Sequence, residues 1–223
     1  MKYASLCAFL VLSGFAIASS AQTADQSASS TTPNSSVDSS SMTANPTDTS
    51  STVSNTLTNS STATQTSPVD QQKVNRVLQT LIAVDNNEIN AANEAQKRSS
   101  NSDVKDFAQT MVTDHTKNMQ DAQALAQQLN VTLSSTEKME KLKDMGKQEL
   151  HKLQSVPAAQ FDMVYINAMV EGHQKVLNMI DEKLLPNAKN QDVINFLKTT
   201  RDTVSHHLDM AKDVQTKLKA NKS

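Results

Sequence analysis

Tryptophan is absent from this 223-residue chain, aromatic residues make up only 3% of it, and there are just three glycines and one cysteine. Sheet proteins draw on aromatic and β-branched residues for their strands and on glycine for tight turns, so this scarcity argues against a β fold, and against an outer-membrane barrel in particular. A lone cysteine, Cys7, cannot build a disulfide framework. The formal net charge of -2 provides neither the basic surface that nucleic acid requires nor a strongly acidic character. No glycine-rich phosphate loop is present, and no serine stands in a recognisable nucleophile–base arrangement. Even the apolar run at the extreme N-terminus is too short for a comfortable membrane span.

The N-terminus has its own logic. Met1-Lys2 is a minimal positive start, Leu6 to Ile17 is an apolar stretch, and the small residues Ala16-Ile17-Ala18-Ser19-Ser20-Ala21 follow. That layout is expected of a secretory signal peptide over residues 1–21, cleaved after Ala21, with Ala18 as the second choice. Cys7 lies too early in the run to be a good lipid-attachment site. The exported chain would then contain no cysteine, which removes thiolate chemistry. Residues 22–68 are dominated by Ser, Thr, Asn, Gln and Asp, with Val37, Val53 and Leu57 isolated. Such a segment cannot bury enough apolar area to offset its ordering entropy, so it reads as a disordered Ser/Thr-rich linker.

From residue 69 to 220 the pattern is helical. Ten methionines with abundant Ala, Leu, Gln and Lys suit helix. Apolar residues recur three or four apart in four long stretches: Val74 to Ala95, Val104 to Leu129, Phe161 to Leu184 and Val193 to Leu218. Ser99-Ser100-Asn101-Ser102 separates the first two, with Ser102 the expected cap of the second, and Asn130 ends it. Ser134 or Ser135 should cap a more polar helix reaching about Gln154, and Glu137, three residues after Ser134, fits a capping box. Pro157 opens the next helix, and Pro186-Asn187 breaks the last two apart. Short breaks favour antiparallel neighbours, so the expected architecture is two helical hairpins joined by a crossover helix, an all-α, four-helix bundle close to a ferritin-like topology.

The apolar stripes are interrupted by ionisable residues. His115 has Met111 and Met119 four residues to either side. His173 lies likewise between Met169 and Leu177, and His207 between Val204 and Ala211. Glu88 continues the stripe of Leu81 and Asp85 and precedes Ala92. All four should point inward. Glu88 and His115 lie about 11 and 14 residues from the first break. At about 1.5 Å rise per residue their heights differ by roughly 5 Å, so a shared site at mid-bundle is feasible. Buried ionisable groups need partners. One Glu with three His is a donor set for a divalent transition metal such as Zn, Cu, Fe or Ni. The competing reading is a polar cluster satisfied among its own members, Tyr165 or buried water. Asp114 and Glu171 each adjoin a stripe and are candidate partners of the ligands, and Asp85 is a candidate to join Glu88. His206 and His151 should be exposed, and the methionines are core filler rather than copper ligands.

Met-Val-x-x-His-x-Lys occurs twice, at 111–117 and at 169–175. The first occurrence lies within Phe107-Ala108-Gln109-x-Met111-Val112-x-Asp114-His115-Thr116-Lys117. That stretch, Phe161-Asp162-x-x-Tyr165-x-x-x-Met169-Val170-x-x-His173 and the ending His207-Leu208-x-x-Ala211 closely resemble the bacterial domain-of-unknown-function 4142 family. The likeness runs from about Val74 to Leu218. It implies a ferritin-like fold and export to the periplasm or cell envelope, where some members are labelled outer-membrane proteins; it implies no reaction. Two stretches depart from the family pattern. Gly172 stands where an acidic residue is usual, and Asp202, Val204 and Ser205 replace a Leu-Pro-x-Leu-Arg run. The Glu-x-x-His pairs of di-iron ferritin-like proteins are absent, which argues against ferroxidase chemistry.

Two functions follow. The first is a non-enzymatic exported bundle acting in envelope adaptation by binding an envelope protein or small ligand, with no nucleic acid and no membrane span in the mature chain. The second is a transition-metal-binding or metal-dependent protein using His115, His173, His207 and Glu88.

Overall fold

The computed structural model describes residues 68–221. The signal peptide expected over 1–21 and the linker expected from residue 22 onward lie outside them, save for Pro68, which opens the first helix. Five helices follow in order: α1 Pro68–Arg98, α2 Ser102–Gln128, α3 Glu137–Gln154, α4 Ala158–Met179 and α5 Gln191–Ala220. A π-helical turn, Ile180–Leu184, and a 3-10 turn, Leu185–Asn187, extend α4 towards α5. The regular structure among the described residues is all helical, as expected.

The ends of the helices show how local chemistry sets them, and two caps differ from expectation. Asn101, not Ser102, caps α2: its side chain accepts from the Val104 N–H at 3.2 Å, and Ser102 is already the first helical residue. Asn130 ends α2 in the left-handed region at φ 53, which Asn tolerates, and lets the Val131 N–H reach back to the Ala126 carbonyl at 2.8 Å. Thr136, not Ser134 or Ser135, caps α3 through the Met139 N–H. Ser134 is withdrawn from that role by Asn75 of α1, which donates to its carbonyl and hydroxyl and accepts from its N–H at 3.1 Å. A tertiary contact therefore overrides the expected capping box.

Cross-helix partners fix the directions. Gln96 bonds Lys105, and Asp85 bonds His115 and Asn118, so numbers fall on α1 as they rise on α2. The same inverse order links α2 to α5 through Asp103–Lys217, Asp114–His207 and Gln128–Asp192, and α4 to α5 through Asn167–Gln215 and Asp181–Arg201. These pairs are antiparallel. Along α1, by contrast, Asn75 meets Ser134, Thr80 meets Met139 and Arg98 meets Gln154, so α3 runs parallel to α1. α1 also packs on α4, which closes a ring of contacts through α1, α2, α5 and α4.

The interior is apolar in two blocks with a polar layer between them. One block gathers Leu78, Leu81 and Val84 with Ala122, Ile180, Leu184, Leu197 and Val204. The other gathers Ala91, Ala95, Phe107, Met111, Phe161, Tyr165 and Met169 with Ala211. Residues 85–88, 115 and 173 fall between them in sequence on α1, α2 and α4, and on α5 His207 adjoins Leu208, the last residue of the first block before Ala211 of the second.

Candidate metal centre

Each helix of the ring supplies one ionisable side chain to that layer, and each is there because its own apolar stripe turns it inward. Glu88 of α1 is 1% exposed, His115 of α2 4%, His173 of α4 1% and His207 of α5 0%. His206, one position away and rotated by about 100°, is exposed, as is His151 on α3.

The three imidazoles meet. Ring centroids stand 5.2 Å apart for His115–His207, 5.5 Å for His173–His207 and 5.9 Å for His115–His173. One ring nitrogen from each can be taken so that all three lie within 4.8 Å of one another. One nitrogen of each ring is tied down from outside. His115 Nδ1 bonds the Asp85 carboxylate at 2.8 Å, His173 Nδ1 bonds the Met169 carbonyl at 2.8 Å, and His207 Nε2 bonds the Asp114 carboxylate at 2.9 Å. In each neutral ring the tied nitrogen carries the hydrogen, because a carbonyl or carboxylate can only accept. The nitrogens left with lone pairs are His115 Nε2, His173 Nε2 and His207 Nδ1, none of which has a hydrogen-bond partner in the protein; nor does Glu88 Oε2. Three clustered, buried imidazoles, each with one nitrogen unpartnered and the other fixed by an outer acceptor, match how proteins present histidine to a metal.

The electrostatics follow from burial. Desolvation holds His173 well below the usual imidazole range, helped by the neighbouring His115 and His207. It lowers His207 to about 4 despite the Asp114 hydrogen bond. His115 is desolvated as well, but the Asp85 bond and charge, with Glu88 and Asp114, outweigh this and raise it. Burial pushes Glu88 up to about 7, and Asp85 is also raised by burial against the opposing pull of His115 and Asn118.

Of the residues singled out in the sequence, His115, His173 and His207 are brought together. Glu88 is buried beside them and feels the charge of His115, but it stands outside the set that converges within 4.8 Å. Asp114 holds His207, and Asp85, weighed only as a companion to Glu88, holds His115. Glu171 forms an ion pair with Lys175 of its own helix. Two contributors gave no signal in the sequence. Asn118 donates to the second Asp85 oxygen at 2.9 Å, and its own carbonyl accepts from the Thr200 hydroxyl at 2.7 Å. A relay thus runs from α5 through α2 and α1 to His115.

A family model matches residues 56–214, which span the whole constellation. The chain belongs to the family described as Domain of unknown function (DUF4142). No curated protein and no solved structure gives a significant match. The DUF4142 region takes in all four inward-facing ionisable residues and every outer partner of the histidines. No helix among the described residues is long and apolar enough to cross a membrane.

Proposed function

We propose that this DUF4142 chain is an exported, ferritin-like helical protein of the cell envelope that binds one divalent transition metal through His115, His173 and His207. The observation that carries the reading is the convergence of three buried imidazoles from three helices, each with one ring nitrogen unpartnered and the other fixed by Asp85, the Met169 carbonyl or Asp114. A single water donates only two hydrogen bonds and cannot serve three acceptors. Each buried polar atom left unpaired costs about 1–3 kcal/mol, so four at one level are a considerable load that a cation relieves. With metal–nitrogen bonds of about 2.1 Å, nitrogens in a tetrahedral shell stand about 3.4 Å apart. The 4.8 Å spread therefore needs a closure of up to about 1.4 Å, which side-chain χ adjustments would have to supply.

Charge supports a divalent ion. Asp85 and Glu88 are buried carboxylates, and no lysine or arginine is buried among the described residues. Two carboxylates match two positive charges, and an unbalanced buried charge costs several kcal/mol. An all-nitrogen set without thiolate suits Zn, Cu(II), Fe or Ni. The ferritin-like reading is supported by two antiparallel hairpins whose second and third long helices, α2 and α4, run the same way because α3 returns the chain along α1. The missing Glu-x-x-His pairs favour one ion rather than a di-iron pair. A metal-free polar cluster is the second reading. The raised basicity of His115 favours it, since an imidazolium there turns Nε2 into a donor towards the other rings.

The test is elemental analysis of the untagged protein after challenge with Zn or Co and gel filtration. About one metal per chain, lost in the His115→Ala/His173→Ala variant, is expected; no enrichment in the wild type sinks the metal reading.

A further inference from the structure

The three imidazoles are shut away from solvent, so an ion needs a way to them. The groups that fix their outer nitrogens are not equally deep. The Asp85 side chain is 3% exposed, and Met169, whose carbonyl holds His173, is buried. Asp114 alone reaches the surface, with its side chain 36% exposed while bonded to a His207 that is 0% exposed. One turn along α2, Asn118 is also partly open and bonds Thr200 of α5. The α2–α5 seam is therefore lined at the level of the site by hydrogen-bonded polar side chains, with polar pairs again at its two ends, Asp103–Lys217 and Gln128–Asp192. Val204, between Thr200 and His207 on α5, is buried. Outside it stands exposed His206, whose ring centroid is 6.5 Å from that of His207.

We propose that the α2–α5 seam is the loading path of the metal centre, with Asp114 and His206 as its outer station and His207 as the side chain that passes the ion inward. The proposal rests on the metal reading above. Asp114 supplies the negative charge that draws a hydrated divalent cation to the seam, and His206 offers it an imidazole. His207 is bonded to Asp114 on one edge and open to the centre on the other, so it is the one ligand in contact with both. An ion held at Asp114 competes for the His207 Nε2–H bond and loosens the ring. The interior nitrogens of His115 and His173 then complete the shell. Seams bridged by polar pairs open at less cost than seams of interlocked apolar side chains, because water replaces the lost hydrogen bonds.

The experiment is stopped-flow uptake of Co(II) by the full chain, followed by the visible absorption of the bound ion. Asp114→Asn keeps a carbonyl acceptor for His207 and removes the charge. It should slow uptake about tenfold or more at low salt and flatten the dependence of the rate on ionic strength. His206→Ala should slow uptake several-fold. Asp144→Asn on α3, which removes an equal charge elsewhere, should leave the rate alone. A wild type that fills while Asp114→Asn fills as fast and with the same salt dependence overturns the loading path and spares the metal reading. A wild type that takes up no cobalt overturns both.

Discussion

At the scale of single residues, a few side chains that touch no ligand decide the geometry of the centre. Thr200 is the clearest. Its hydroxyl is the far end of the relay through Asn118 and Asp85 to His115. Thr200→Val keeps the shape and removes the donor, so metal affinity should fall about tenfold or more, with recovery in Thr200→Ser, as read by competition with a chromophoric chelator. Equal affinities in all three proteins would remove Thr200 from the site. Protons act on the metal-free protein in two opposed ways. His207, lowered to about 4 in the fold, stays neutral where the unfolded chain takes up a proton below its ordinary 6.5, so this contribution is lost as pH falls from about 6.5 to about 4. His173 adds in the same direction. Glu88, raised to about 7, keeps a proton that the unfolded chain releases above its ordinary 4.5, so its contribution is lost as pH rises from about 4.5 through 7. Chemical denaturation of metal-free Glu88→Gln should show that second loss removed, a gain over wild type that grows by about 3 kcal/mol between pH 4 and pH 8. A pH-independent difference would contradict the buried-carboxyl account.

At the scale of elements, α3 is held as a strap along α1 by its two ends. Ser134 is gripped by Asn75, and at the other end Arg98 donates to the carbonyls of Leu153, Gln154 and Val156 while lying over the Phe161 ring at 4.4 Å. Leu153 and Gln154 lie in the last turn of α3, where carbonyls have no partner four residues on, and Val156 lies just beyond it. Between the ends, Gly146 lets α3 approach Asn87 so closely that a Cβ there would stand 2.0 Å from the amide oxygen. Arg98→Ala should lower stability by about 2–3 kcal/mol in urea denaturation, since charge-assisted bonds to partly buried carbonyls are lost together; a change under about 0.5 kcal/mol would mean the strap is held by its packing alone. The elements also show what the sequence could and could not express. The long helices were readable because Leu, Val, Met and Ala recur at the helical period on one face. The caps were readable only as a choice among neighbours. Asn101 and Ser102 are both cap residues, as are Ser134, Ser135 and Thr136, and Asn75, fifty-nine residues before Ser134, decided the second case. The π-helical turn at Ile180–Leu184 left no periodic signature and was read as plain helix.

At the scale of the whole molecule, the domain is two apolar blocks separated by a layer that four helices furnish with ionisable groups, Asp85 and Glu88 from α1 and one histidine from each of α2, α4 and α5. That layer was legible from periodicity alone, because each of Glu88, His115, His173 and His207 interrupts an otherwise apolar stripe. What periodicity does not fix is the relative height and rotation of the helices. The three histidines therefore could be placed inward but not joined, Glu88 could not be separated from them, and the Asp114–His207 and Thr200–Asn118 pairs could not be foreseen across α2 and α5. The central claim is that this layer is a metal shell of three imidazoles. X-ray absorption of the Zn- or Co-loaded protein tests it most directly: the account predicts a first shell with three imidazole nitrogens at about 2.0–2.1 Å and their outer-ring scattering, and a shell containing sulfur, or one of oxygen without imidazole, would contradict it.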